Sequence, residues 1–151
     1  MKTQLAWLLM TAFSVYACQK KPASTDKPET GNAPADTTDQ CFAYKNNKDS
    51  AALHLQVAGH IATGELSYFL FEKDSNKGEI RGEVHGDTLF ARYTFASEGT
   101  QSVREVVFLK TGGEWTEGFG DMQEKAGTLV FTDRSKIRFQ DGLRFKETSC
   151  P

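Results

Sequence analysis

From residue 41 onward, apolar and polar residues alternate with a period of two, and Gly, Asn, Asp and Ser interrupt the alternation at short intervals. Helical spacing is almost absent. This is the signature of half-buried strands joined by tight turns. The pattern predicts ten short strands, at about 42–45, 51–58, 61–72, 78–85, 88–97, 102–111, 114–124, 128–132, 136–140 and 143–147.

Turn length fixes which residues face each other, so the strand assignments can be checked against the apolar positions. A two-residue turn at Gly59-His60 sets Leu53 opposite Leu66 and Leu55 opposite Gly64. A turn at Gly86-Asp87 sets Val84 opposite Leu89, Gly82 opposite Ala91 and Ile80 opposite Tyr93. A four-residue loop from Glu98 to Gln101 sets Phe95 opposite Arg104, Tyr93 opposite Val106 and Ala91 opposite Phe108. Gly112-Gly113 sets Val106 opposite Phe119, and three-residue loops ending in Gly127 and Gly142 align Leu129 and Phe131 with the preceding strand and Ile137 with Phe145. One apolar face then runs through all hairpins: Leu53, Leu55, Val57, Leu66, Tyr68, Leu70, Ile80, Val84, Leu89, Tyr93, Phe95, Val106, Phe108, Trp115, Phe119, Leu129, Phe131, Ile137, Phe139, Leu143 and Phe145. The hairpin at 72–78 is the weak joint, because its loop length decides whether Leu70 or Phe71 turns inward.

A ten-strand antiparallel sheet with one apolar face has to curl. The predicted fold is all-β: an antiparallel up-and-down meander curled into a small, lipocalin-like barrel, with an incompletely closed curled sheet as the alternative. Gly64, Gly82, Gly118 and Gly120, inside strands, are where sharp coiling is tolerated. Of three cysteines, Cys41 precedes the first strand and Cys150 follows the last. A Cys41–Cys150 disulfide would join the two ends of the meander, as barrel closure requires, and would leave Cys18 as the odd thiol.

The region before the meander has a different composition. Lys2 gives a positive start, Leu5 to Tyr16 a short apolar run, and Val15-Tyr16-Ala17 places small residues where a signal peptidase reads. The run is too short for a spanning helix. Residues 1–17 are thus expected to be a signal peptide. Residues 18–40, with three Pro and no large apolar side chain, form a flexible linker, and residues 41–151 form the β domain.

Val15-Tyr16-Ala17-Cys18 resembles the lipobox of bacterial lipoproteins, though Leu is commoner where Val15 stands and a small residue where Tyr16 stands. The resemblance implies a diacylglycerol on Cys18, cleavage before it and an acylated new amino terminus; the rival reading is a secretory cut after Ala17 that leaves Cys18 free. Two or three acyl chains, at ~0.8 kcal/mol per buried CH₂, hold a protein on a bilayer almost permanently. Gln19 is not the Asp that retains such lipoproteins in the inner membrane, so the resemblance favours the outer membrane. Gln19-Lys20-Lys21 lacks the acidic residues of surface-export signals, which favours a periplasm-facing domain. The bracketing cysteines, with Gly86-Asp87-Thr88-Leu89, Tyr93-Thr94-Phe95 and Ser102-Val103-Arg104-Glu105-Val106, also resemble small Bacteroidota-type envelope lipoproteins, a group that implies no activity.

Composition narrows the function classes. A net charge of −2 leaves no basic excess for nucleic acid, and eleven Phe, four Tyr and two Trp give one domain of a 151-residue chain a core to bury. His54, His60 and His85 have no metal-ligand spacing, and no nucleophile elbow, P-loop or dinucleotide fingerprint occurs. No catalytic residue, metal or cofactor is assigned. One constellation carries a hypothesis. The expected register puts Arg104 on the apolar face opposite Asp121, with Glu117 on the same face and Tyr68 and Tyr93 on neighbouring strands. Inward charges need partners. The five residues make either a polar pocket at a barrel mouth, with Arg104 as anion contact, or a salt bridge that fixes register. The sequence therefore reads as an envelope lipoprotein with a non-enzymatic binding or structural barrel. Its partners are the bilayer through Cys18 and an unidentified small molecule or envelope protein. A carrier of a small apolar or amphiphilic ligand is the alternative, and a hydrolase the remote one.

Overall fold

The computed structural model describes residues 36–97 and 99–151. It contains ten strands: β1 (Thr37–Asn46), β2 (Asp49–Ala58), β3 (Ile61–Phe69), β4 (Asn76–His85), β5 (Thr88–Ser97), β6 (Thr100–Thr111), β7 (Glu114–Glu117), β8 (Met122–Lys125), β9 (Thr128–Phe131) and β10 (Arg144–Thr148). Neighbours run in the order β5-β4-β3-β2-β1-β10-β7-β6, and pairing of β5 with β6 shuts the ring. The result is a closed eight-stranded antiparallel barrel, not an open curled sheet. The β8–β9 hairpin stands outside it, tied to β6 by a parallel contact between Arg104 and Leu129.

The two-residue turns set the registers that the apolar pattern demands. Leu53 faces Leu66 and Leu55 faces Gly64; Val84, Gly82 and Ile80 face Leu89, Ala91 and Tyr93. Leu70, not Phe71, packs inward, and Phe71 lies half-exposed beneath the Lys48 ammonium. Two strand positions leave no room for a side chain. A Cβ at Gly64 would meet the His54 carbonyl at 1.8 Å and one at Gly82 the Phe90 carbonyl at 2.0 Å.

The barrel interior is filled. Phe42, Leu53, Leu66, Leu89, Tyr93, Phe108 and Phe145 are each at most 1% exposed, and the Phe145 ring meets Phe108 and Tyr44 at 5.7 and 6.5 Å. Each such side chain contributes ~1.5–3 kcal/mol by leaving water. Cys41 and Cys150 form the disulfide across the seam between β1 and β10, 109 residues apart in sequence.

Four local expectations are corrected. β1 begins at Thr37 and pairs with β2 along its whole length. The β5–β6 connection is a two-residue turn, with Gly99 at φ +79°, so Phe95 faces Ser102, Tyr93 faces Arg104 and Ala91 faces Val106. Each pairing moves by two residues, which leaves the inward and outward faces unchanged. The stretch 114–124 is not one strand. It leaves β6 after Gly118, whose N–H still donates to the Val107 carbonyl at 2.8 Å, and Phe119 pairs with Arg138 in an isolated bridge. Residues 136–140 are not a strand either; a 3-10 turn (Arg134–Lys136) precedes that bridge. Consequently Phe119 and Leu129 are exposed, at 43% and 45%, instead of facing inward.

Gly118 explains the departure. A Cβ there would lie 2.6 Å from Ile137 Cγ2, 2.6 Å from Phe139 Cε1 and 2.8 Å from Val107 Cγ1. Val107 points away from the barrel interior yet is fully buried. Ile137 and Phe139, expected on the inner face, instead cover Val107 from outside and press against bare backbone. Gly118→Ala is expected to destabilise the protein by about 2 kcal/mol through overpacking. Urea denaturation with an unchanged slope checks it, since the loss belongs to the native state.

Candidate functional site

Inward parity on four strands brings Tyr68 (β3), Tyr93 (β5), Arg104 (β6) and Glu117 (β7) together inside one end of the barrel. Glu117 closes β7, and its backbone N–H donates to the Leu143 carbonyl at 2.9 Å, which fixes the last residue before the chain departs at Gly118. Its side chain is 3% exposed. The Tyr68 hydroxyl donates to Glu117 Oε1 at 2.8 Å, and Arg104 Nη2 lies 3.7 Å from the same oxygen. The Arg104 guanidinium is 5.4, 5.6 and 5.9 Å from the ring centroids of Tyr68, Tyr93 and Phe95. Three aromatic faces and one carboxylate thus surround one cation. Tyr93 stacks on Phe95 at 4.6 Å and donates its hydroxyl to the Leu66 carbonyl at 3.0 Å.

Burial dominates the electrostatics. It pushes the Glu117 carboxyl above the ordinary carboxylate range, against the pull of Arg104 and the Tyr68 hydrogen bond. Burial, reinforced by the Glu117 charge, holds Tyr68 well above the usual phenol range, and burial raises Tyr93 to about 12 despite Arg104. Glu117 Oε2 and Arg104 Nε make no hydrogen bond to the protein. The arrangement can hold a proton or a charge, but Glu117 is sealed by Tyr68 and the barrel wall. The groove at this end of the barrel is lined by Leu70, Asn76, Phe95 and Ser102 with the 72–74 loop, not by the four clustered residues.

Asp121, the fifth residue expected here, lies elsewhere. Because the chain leaves β6 at Gly118, Asp121 never comes opposite Arg104. It is exposed, its carbonyl accepts from Thr132 N at 2.9 Å, and it lines a separate groove with Asp133, Lys136 and Arg138. The residue at register with Arg104 on that side is Leu129. Cys18 and Glu98 lie outside the described residues.

The histidines are on the outer surface or in a turn. His54 hydrogen-bonds Asp39, and His85 contacts Glu83 at 3.0 Å. Linear spacing missed one grouping. Cys41 pairs across strands with His54, so one ligand atom each of Cys41, His54 and Cys150 lies within 4.8 Å of the others. The β1–β2 register carries that signal. With the two sulfurs bonded to each other, neither is a thiolate, the form in which cysteine binds metal.

No family model, curated protein or solved structure matches the chain.

Proposed function

We propose that this protein is a lipid-anchored envelope lipoprotein whose filled β-barrel is a non-enzymatic binding or structural module. The observation that carries the reading is the Cys41–Cys150 pair, which leaves Cys18, directly after Val15-Tyr16-Ala17, as the odd cysteine. A bridge of this kind persists in an oxidising compartment such as the periplasm. Acyl chains on Cys18 then hold the domain to the outer membrane, on its periplasmic side, through the segment that precedes β1 at Thr37. A closed barrel with side chains across its axis suits a rigid module with partners at its surface. It gives less support to a carrier, which needs an internal cavity of several hundred Å³.

Metabolic labelling with radiolabelled palmitate tests the anchor. The full chain is expected to take up label, Cys18→Ala to lose it, and the Cys41→Ala/Cys150→Ala double variant to keep it. An unlabelled full chain rejects the lipoprotein reading. Native mass spectrometry of the purified protein tests the carrier alternative, and a co-purified apolar molecule would revive it.

A further inference from the structure

The outward face of β2–β5 carries an arrangement that the barrel does not need. Two neighbouring cross-strand rows pair like charge with like. Glu65 faces Glu79, and two residues along β4 Arg81 faces Arg92. Like charges directly opposite in a sheet are destabilising. Exchanging the side chains at 79 and 81 would turn both pairs into attractive ones, so the cost is a matter of placement, not composition.

Lys77 Nζ lies 3.6 Å from Glu65 and offsets part of the acidic row, but no such partner among the described residues reaches Glu79, Arg81 or Arg92. Glu105, directly across from Arg92 on β6, is held by Arg134 at 2.7 Å and by the Phe131 N–H at 2.9 Å. Glu83, next along the outer face from Arg81, lies 3.0 Å from the His85 ring. Arg81, Arg92 and Glu79 make no ion pair among the described residues. All three are exposed, and all three line an open groove of about 540 Å³ on this face.

We infer that this groove binds a zwitterionic group of the phosphoethanolamine type, its phosphate between Arg81 and Arg92 and its ammonium on Glu79. Two guanidinium groups on adjacent strands match an oxyanion, each able to donate a pair of N–H groups. Positions 79 and 81 lie two residues apart on one face, about 7 Å along the strand. A ligand with its two charges separated by a short spacer therefore meets both rows. The ligand relieves the Arg–Arg repulsion on binding, which is an interaction the free protein lacks. The inference concerns the outer face alone and does not depend on the lipid anchor.

Calorimetric titration of the full chain tests it, with O-phosphoethanolamine, inorganic phosphate and ethanolamine as separate probes. O-phosphoethanolamine is expected to bind about tenfold more tightly than phosphate, the equivalent of one added charge contact, and ethanolamine alone not measurably. Arg81→Gln/Arg92→Gln should lose both binding events while keeping or gaining thermal stability, because it removes a repulsive pair. Glu79→Gln should bring O-phosphoethanolamine down to the affinity of phosphate and leave phosphate no weaker. Absence of phosphate binding, equal affinity for the two phosphates, or binding retained in the double arginine variant overturns the proposal. Vesicles of phosphatidylethanolamine set against phosphatidylcholine then separate a lipid headgroup from a free ligand: retention by the first alone assigns a lipid source, and retention by neither assigns a soluble one.

Discussion

Arg104→Met is expected to destabilise the protein by about 3 kcal/mol at neutral pH, the lower end of the loss for breaking a buried ion pair. Arg104 is itself 28% exposed, whereas its partner carboxylate is 3% exposed, so the penalty falls on Glu117. Without the guanidinium, Glu117 keeps one hydrogen bond, from Tyr68, and no compensating charge. A surface pair would cost well under 1 kcal/mol. A loss that small in the chemical denaturation of Arg104→Met would show that Arg104 is a solvated rim residue and that the cluster does not stabilise the barrel.

The pH dependence separates a buried charge from lost packing. Burial holds the Glu117 carboxyl above its ordinary value in the folded protein. Between the two values the folded state binds a proton that the unfolded chain does not, so this group's contribution to stability falls as pH rises through that interval. Removing Arg104, which pulls the value down, widens the interval. Arg104→Met should therefore recover much of its loss on acidification, and Arg104→Met/Glu117→Gln should show little loss at any pH. A loss independent of pH would mean that the contacts of the guanidinium with the Tyr68 and Tyr93 rings supply the stability instead.

The extent to which this cluster was legible follows from what a period of two encodes. Alternation fixes which face a residue points to, and by that rule Tyr68, Tyr93, Arg104 and Glu117 all point inward, as they do in the barrel. It does not fix register beyond parity. Reading Glu98–Gln101 as a four-residue loop, where Gly99 permits a two-residue turn, moved Arg104 from Tyr93 to Phe95 without disturbing either face. Strand ends were the second blind spot. Extending β7 past Gly118 would have carried Asp121 to Arg104, but the side chains that press on Gly118 come from residues 137 and 139. Only tertiary packing reveals them. The same absence of long-range information hid the approach of Cys150 to His54, and the unsettled 72–78 joint hid the Glu65–Glu79 row, whereas the Arg81–Arg92 row already follows from the Gly86-Asp87 turn.

Replacing both cysteines of the seam, as Cys41→Ala/Cys150→Ala, is expected to cost about 4 kcal/mol, since a loop of this length lies near the top of the range in the chain-entropy picture. For a domain of roughly 110 residues that corresponds to a fall in Tm on the order of 15 °C. The barrel gives the loss a location as well as a size. β1 pairs with β2 through ten residue pairs and β5 with β6 through ten, whereas β1 meets β10 through three and β10 meets β7 through two. The ring is thinnest on both sides of β10, where Phe145 supplies the main apolar plug. If the bridge acts as a staple at this seam, hydrogen exchange in the double variant should accelerate first in β10 and the start of β1, while β3–β5 stay protected up to global unfolding. If it acts only by restricting the unfolded chain, protection should fall by the same factor in all strands, because the native barrel is then unchanged and only its partner in the equilibrium has gained entropy. A loss below about 1 kcal/mol would contradict both, and would mean that the five pairs around β10 close the barrel without covalent help.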